Sequence, residues 1–90
     1  MNIEISRAFV KDIDPCPKHS KKIILLVINE IQSAKIPIEI KECSKLKGAE
    51  DLYRIRRGNY RITFEYKGSS AILKRVLHRG QIYKKHNIKH

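Results

Sequence analysis

The residues best suited to chemistry are three arginines that their spacing brings together. Gly58-Asn59 separates Leu52 to Arg57 from Tyr60 to Lys67, two runs rich in Ile, Tyr and Phe. Such a dipeptide between strand-like runs is a two-residue hairpin signal. The loop sets Arg57 opposite Tyr60, so Arg56 faces Arg61, Ile55 faces Ile62, Arg54 faces Thr63 and Tyr53 faces Phe64. Alternation along strands puts Tyr53, Ile55, Tyr60, Ile62, Phe64 and Tyr66 on one apolar face. Arg54, Arg56 and Arg61 then project from the other. Like charges directly opposite destabilise a ladder by up to ~1 kcal/mol per pair. Three converging guanidiniums suit a ligand that brings negative charge, phosphate above all, through forked hydrogen bonds. The competing reading is a solvated basic face neutralised by Glu65 and counterions.

Charge across the chain points the same way. Twenty Lys and Arg oppose nine Asp and Glu in 90 residues, a net charge of +11. Residues 1–40 hold six basic and five acidic side chains, whereas residues 41–90 hold fourteen and four. A basic half on a small domain is the electrostatic footprint of a polyanion binder. An acidic protein partner exploits the same surface. Cys16 and Cys43 show no CxxC spacing, and two reduced thiols in a reducing cytosol are the default expectation. His86 and His90 are four apart but lack Cys or carboxylate company, so neither a metal site nor a cofactor is expected. The longest apolar run, Ile23 to Ile28, is far below the ~20 residues that span a bilayer. The N-terminus lacks the pattern of a signal peptide, so the expected location is cytoplasmic and away from membranes.

The elements that must position the arginines fit a single domain over residues 1–90. Ile3 and Ile5 alternate with polar neighbours as a short strand. Ser6 is placed to N-cap a short helix carrying Phe9 and Ile13 on one face, ended by Pro15 and Pro17. From Lys18 to Ser33, Ile23, Ile24, Val27, Ile28 and Ile31 follow helical spacing, with Leu25 and Leu26 widening the stripe. Ile36-Pro37-Ile38 reads as extended and residues 39–50 as a basic connector. Ser70 to Arg79 forms a third β run after Gly68-Ser69. The expected fold is α+β: a strand, two helices, then a three-stranded antiparallel meander, with the helices on one face of a small sheet. If Gly68-Ser69 is a two-residue loop, Lys74 and His78 join the arginine face. Arg75 and Arg79 then fall on the helix side with Leu73 and Leu77. A one-residue slip or bulge reverses this, and the register stays open at this point.

Lys45-Leu46-Lys47-Gly48, followed by Leu52-Tyr53-Arg54-Ile55-Arg56-Arg57-Gly58-Asn59-Tyr60-Arg61-Ile62, resembles the central signature of the RelE/ParE toxin superfamily. Val76-Leu77-His78-Arg79 with Tyr83 four residues on resembles its closing element, and the opening strand with Phe9-Val10-Lys11-Asp12 also fits. Nearly the whole chain is covered. The resemblance implies the toxin of a type II toxin–antitoxin system, held in a complex with a cognate antitoxin. RelE-like members cleave messenger RNA in the ribosomal A site without a metal. ParE-like members share the fold and inhibit DNA gyrase; a catalytically weak RNA-binding member is a further possibility.

Carried onto this sequence, the resemblance assigns catalysis to Arg56, Arg61, Arg79 and Tyr83, and RNA binding to Arg54 with Lys45, Lys47 and Lys74 alongside. Arg61 and Arg79 would neutralise the extra charge on a pentacoordinate phosphorane. Tyr83 would stack a base or orient the scissile nucleotide. RelE-type nucleases carry lysine where Arg54 and Arg56 stand. Arginine does not deprotonate in proteins, so the general base falls to another group, for which His78 is the candidate. His78 as a structural side chain at a strand end is the alternative.

Overall fold

The computed structural model of the chain describes residues 1–79. Tyr83, His86, His90 and the rest of the basic tail lie outside the described residues. The elements run β1 (Asn2–Ile5), α1 (Arg7–Ile13), α2 (Lys18–Ser33), a 3-10 turn (Pro37–Glu39), β2 (Cys43–Lys45), β3 (Leu52–Arg57), β4 (Tyr60–Lys67) and β5 (Ser70–His78). The five strands form one sheet in the order β1-β5-β4-β3-β2. β1 runs parallel to β5, and every other pair is antiparallel. The α+β class with helices on one face is as expected, but the meander gains a strand at each edge.

Local chemistry accounts for most of these elements. The Ser6 side chain accepts from the Phe9 backbone N–H and starts α1. Along α2, Ile24, Val27 and Ile31 are fully buried, packed with Phe9, Ile55, Ile62, Phe64 and Leu73. Leu25 and Leu26 stay 59% and 61% exposed, so the buried stripe is narrower than the spacing implied. Two expectations change between α2 and β3. Ile36 is extended as expected, but Pro37 and Ile38 are not: Pro37 enters a 3-10 turn with its φ already set for it, and Ile40 N–H donates to the Pro37 carbonyl at 3.0 Å. The connector contains β2, whose three residues are too few to show a period; Cys43 pairs with Ile55 and Lys45 with Tyr53.

The β3–β4 hairpin has the register that its loop dictates, from Arg57 opposite Tyr60 to Tyr53 opposite Phe64. Gly58 adopts φ +57, the left-handed conformation that tight hairpin turns demand. Between β4 and β5 the pairing starts as a two-residue loop requires, with Lys67 opposite Ser70 and Phe64 opposite Leu73. It then shifts: Thr63 faces Arg75, Ile62 faces Val76, Arg61 faces Leu77 and Tyr60 faces His78. Lys74 is the extra residue of a β-bulge. The bulge buries Val76 beside Ile62, whereas the unshifted register would have driven Arg75 into that place.

Candidate nucleic-acid interface

The arginines meet at the turn end of the hairpin. Arg56 and Arg61 are direct cross-strand partners on the face opposite the helices, and Arg54 sits two pairs further along on the same face, between Ser44 and Thr63. The Arg61 guanidinium folds over the turn and donates to the carbonyls of Gly58 at 2.9 Å and Tyr60 at 3.0 Å. Arg79 arrives at the same turn, its backbone N–H donating to the Asn59 carbonyl at 2.7 Å. Arg79 directly follows the last residue of β5, so its backbone stands against the hairpin turn that carries Arg61. Arg56 reaches Glu42 at 3.7 Å with both side chains well exposed, an ion pair of small energetic weight that a phosphate can displace. Among the described residues neither Arg54 nor Arg61 has a carboxylate in salt-bridge range.

The bulge redistributes the rest of the predicted set. Lys74 stays on the arginine face, 3.7 Å from Glu65. His78 does not: it faces the helices, its ring edge-on to Tyr60 with centroids 5.0 Å apart. Arg75 and Leu77 leave the helix side, where the unshifted register placed them, for the other. Lys45 shares the face of its partner Tyr53 and lines a cavity with Ile36, Ile38 and Tyr66, away from the arginines. Lys47 is exposed in the loop after β2. Tyr83 lies outside the described residues.

Behind the turn, on the helix side, is a cavity of about 510 Å³ lined by His19, Ile23, Leu26, Glu30, Arg57, Tyr60 and His78 among others. Tyr60 donates its hydroxyl to buried Ser20, and Arg57 binds Glu30 and the Lys41 carbonyl. These contacts fix the turn from beneath, so the arginines above stand on a rigid support. Three sets of contacts went unread in the sequence. Glu42, at φ +56, gives its carbonyl to the Arg56 N–H and its carboxylate to the Arg56 side chain. Asp12 grips the Arg75 guanidinium through both oxygens at 2.8 and 3.0 Å and accepts from the Val76 N–H at 2.9 Å. The hydrogen bond and charge of Asp12 raise the Arg75 pKa still further. The Ser6 hydroxyl donates to the Lys74 carbonyl at 3.0 Å. The signal for the bulge was present: Leu73 and Val76 are three apart, not two, with two charged residues between them.

Among the described residues no cluster of three His, Cys, Asp or Glu is arranged to hold a metal ion, and no helix is long and apolar enough to cross a membrane. A basic, hairpin-borne surface on an α+β domain is a scaffold for meeting a polyanion, and comparison with known proteins says which scaffold. The profile of the family described as "ParE toxin of type II toxin-antitoxin system, parDE" matches residues 3–83. Toxin RelE3 of Methanocaldococcus jannaschii is 43% identical over 84 residues, 92% of this chain and 96% of the relative. The crystal structure of the RelB-RelE antitoxin-toxin complex from Methanococcus jannaschii matches with TM-score 0.76 and 41% identity, over 91% of this chain and 96% of that one. The archaeal RelE-RelB complex from Pyrococcus horikoshii OT3 matches with TM-score 0.70 and 26% identity, over 89% and 96% of the two chains. The chain belongs to the RelE/ParE superfamily, the toxins of type II toxin–antitoxin systems.

Proposed function

We propose that this toxin is a ribosome-dependent mRNA endoribonuclease of the RelE kind, acting in the cytoplasm and restrained by a cognate antitoxin. The observation that carries the reading is the meeting of Arg56, Arg61 and the Arg79 backbone at one hairpin turn on an open strand surface. In the reaction the 2′-oxygen bonds to the adjacent phosphorus as the bond from phosphorus to the 5′-oxygen breaks. The products are a 2′,3′-cyclic phosphate and a 5′-hydroxyl, and the proton lost at the 2′-hydroxyl is balanced by the one gained at the leaving oxygen. The arginines stay protonated throughout and act by charge, stabilising the phosphorane as its negative charge grows. Cationic charge at this place takes the part that a metal ion plays elsewhere, and no cofactor enters. His78 faces the cavity beside Tyr60, so the reading gives it no share in proton transfer at the arginines. Arg54 and Lys74 hold flanking phosphates, positioning the strand without reading its sequence. Lys47, exposed in the loop after β2, extends the basic surface for the ribosome.

Antitoxin control is supported by two relatives solved as RelB-RelE complexes. An acidic or amphipathic segment that covers the arginine face would silence the toxin. The family profile is named for ParE, and arginine replaces lysine at 54 and 56, so inhibition of DNA gyrase is the second reading. Primer extension on cellular messages after induction separates the two. The nuclease reading predicts codon-periodic cuts in translated messages, lost in Arg61→Ala and Arg79→Ala. An SOS response without cuts would establish the gyrase reading instead.

A further inference from the structure

The geometry points to a register clamp: Ser6 and Asp12, the two ends of α1, are positioning residues that hold the bulge at Lys74 and so decide that the Arg79 backbone meets Asn59 at the hairpin turn while His78 faces the helices beside Tyr60. The proposal rests on the nuclease reading for its consequence but not for its structure. Beyond Leu73, β5 has lost β1 as a neighbour, because β1 ends at Ile5 and the chain turns into α1. The exposed edge of β5 at this place presents backbone groups that no strand takes. Ser6 takes the first two, its N–H donating to the Leu73 carbonyl at 3.0 Å and its hydroxyl to the Lys74 carbonyl at 3.0 Å. Asp12 takes the next, accepting the Val76 N–H at 2.9 Å while its carboxylate holds Arg75 bidentately. A helix of seven residues thus brackets the bulge from residue 73 to residue 76.

The consequence is all-or-none, because side chains alternate and a one-residue shift moves each of them to the other face. In the observed register Tyr60 faces His78, and Arg79 follows at the turn where Arg61 bonds the Gly58 carbonyl. In the unshifted register Asn59 would face His78, Arg61 would face Val76, and Arg79 would come opposite Gly58 instead of Asn59, which accepts its N–H in the observed register. The hydrophobic pattern favours the bulge through burial of Val76, and the clamp satisfies the backbone groups that the bulge leaves over. A structural contact alone would lower stability. A clamp on register lowers catalysis through Arg79 in protein that is still folded.

The test uses the full chain with Ser6→Ala, Asp12→Ala, the double variant and Ser6→Thr, which keeps the hydroxyl. Ring-to-ring nuclear Overhauser contacts between Tyr60 and His78 report the register directly. The clamp predicts that these contacts weaken in the double variant while circular dichroism still shows folded protein, and that Ser6→Thr retains them. It also predicts a fall in single-turnover cleavage of roughly tenfold to a hundredfold at unchanged KM, the scale expected of small misplacement of a reacting group. In an Arg79→Ala background, Asp12→Ala would then add little further loss. Full Tyr60–His78 contact in the double variant, or losses that multiply with that of Arg79→Ala, overturns the clamp. If Arg61→Ala and Arg79→Ala cleave like the parent, the nuclease site is refuted, and the clamp still stands or falls on the ring contacts.

Discussion

At the scale of single residues, Arg56 and Arg61 oppose one another, and among the described residues the loose Glu42 pair is the one carboxylate contact that offsets their repulsion. Glu42 therefore competes with any incoming phosphate. Glu42→Gln is expected to tighten binding of single-stranded RNA by no more than about fivefold at low salt, the range of an exposed ion pair, with the gain shrinking as salt rises. Fluorescence anisotropy with a labelled oligonucleotide checks this. The second residue-scale prediction concerns Cys43, half-buried beside the core, whose thiol burial pushes up to about 11. The thiolate is the reactive form, so a raised pKa means less of it near neutrality. Alkylation of Cys43 at pH 8, followed by mass spectrometry, should run on the order of a hundredfold slower in the folded protein than in the denatured chain, and should accelerate as the pH approaches 11.

At the scale of elements, the turn that carries the arginines is held from the helix side by Tyr60. Tyr60→Phe strands the hydroxyl of Ser20, which is 1% exposed, and is expected to cost about 1–3 kcal/mol in urea unfolding. Adding Ser20→Ala should return much of that loss, since a pair of apolar partners leaves nothing unsatisfied. What the sequence could show divides along the same line of local against distant causes. The β3–β4 register was legible because two loop residues fix it, and α1 and α2 because a capping serine and a helical period are local. The pairing of β1 with β5 was not, since Ile5 and Leu73 meet across most of the chain. The bulge was half legible: the spacing of Leu73 and Val76 announces it, but the groups that satisfy it come from Ser6 and Asp12. Hence Arg56 and Arg61 were placed correctly relative to one another, and the side of the sheet taken by His78, left open by the sequence, is decided by the bulge. Lys45 went astray for a related reason, because a three-residue strand gives no alternation to read.

At the scale of the whole molecule, the division of labour follows charge. The N-terminal half, nearly neutral, builds the helices that cover one face of the sheet, and the C-terminal half, strongly basic, builds the strands that present the other. On the proposed reading, an mRNA strand laid across the open face would meet Arg54, Arg56 and Arg61, with the Arg79 backbone at the turn. The arginine cluster is the centre of that account, and one measurement addresses it directly. Single-turnover cleavage of message on programmed ribosomes, compared between the parent toxin and Arg61→Ala, should show the rate falling by roughly a hundred- to a thousandfold, the loss typical of one removed charge-stabilising donor, at little change in KM. A variant that folds, binds the ribosome and cleaves at the parental rate would contradict it.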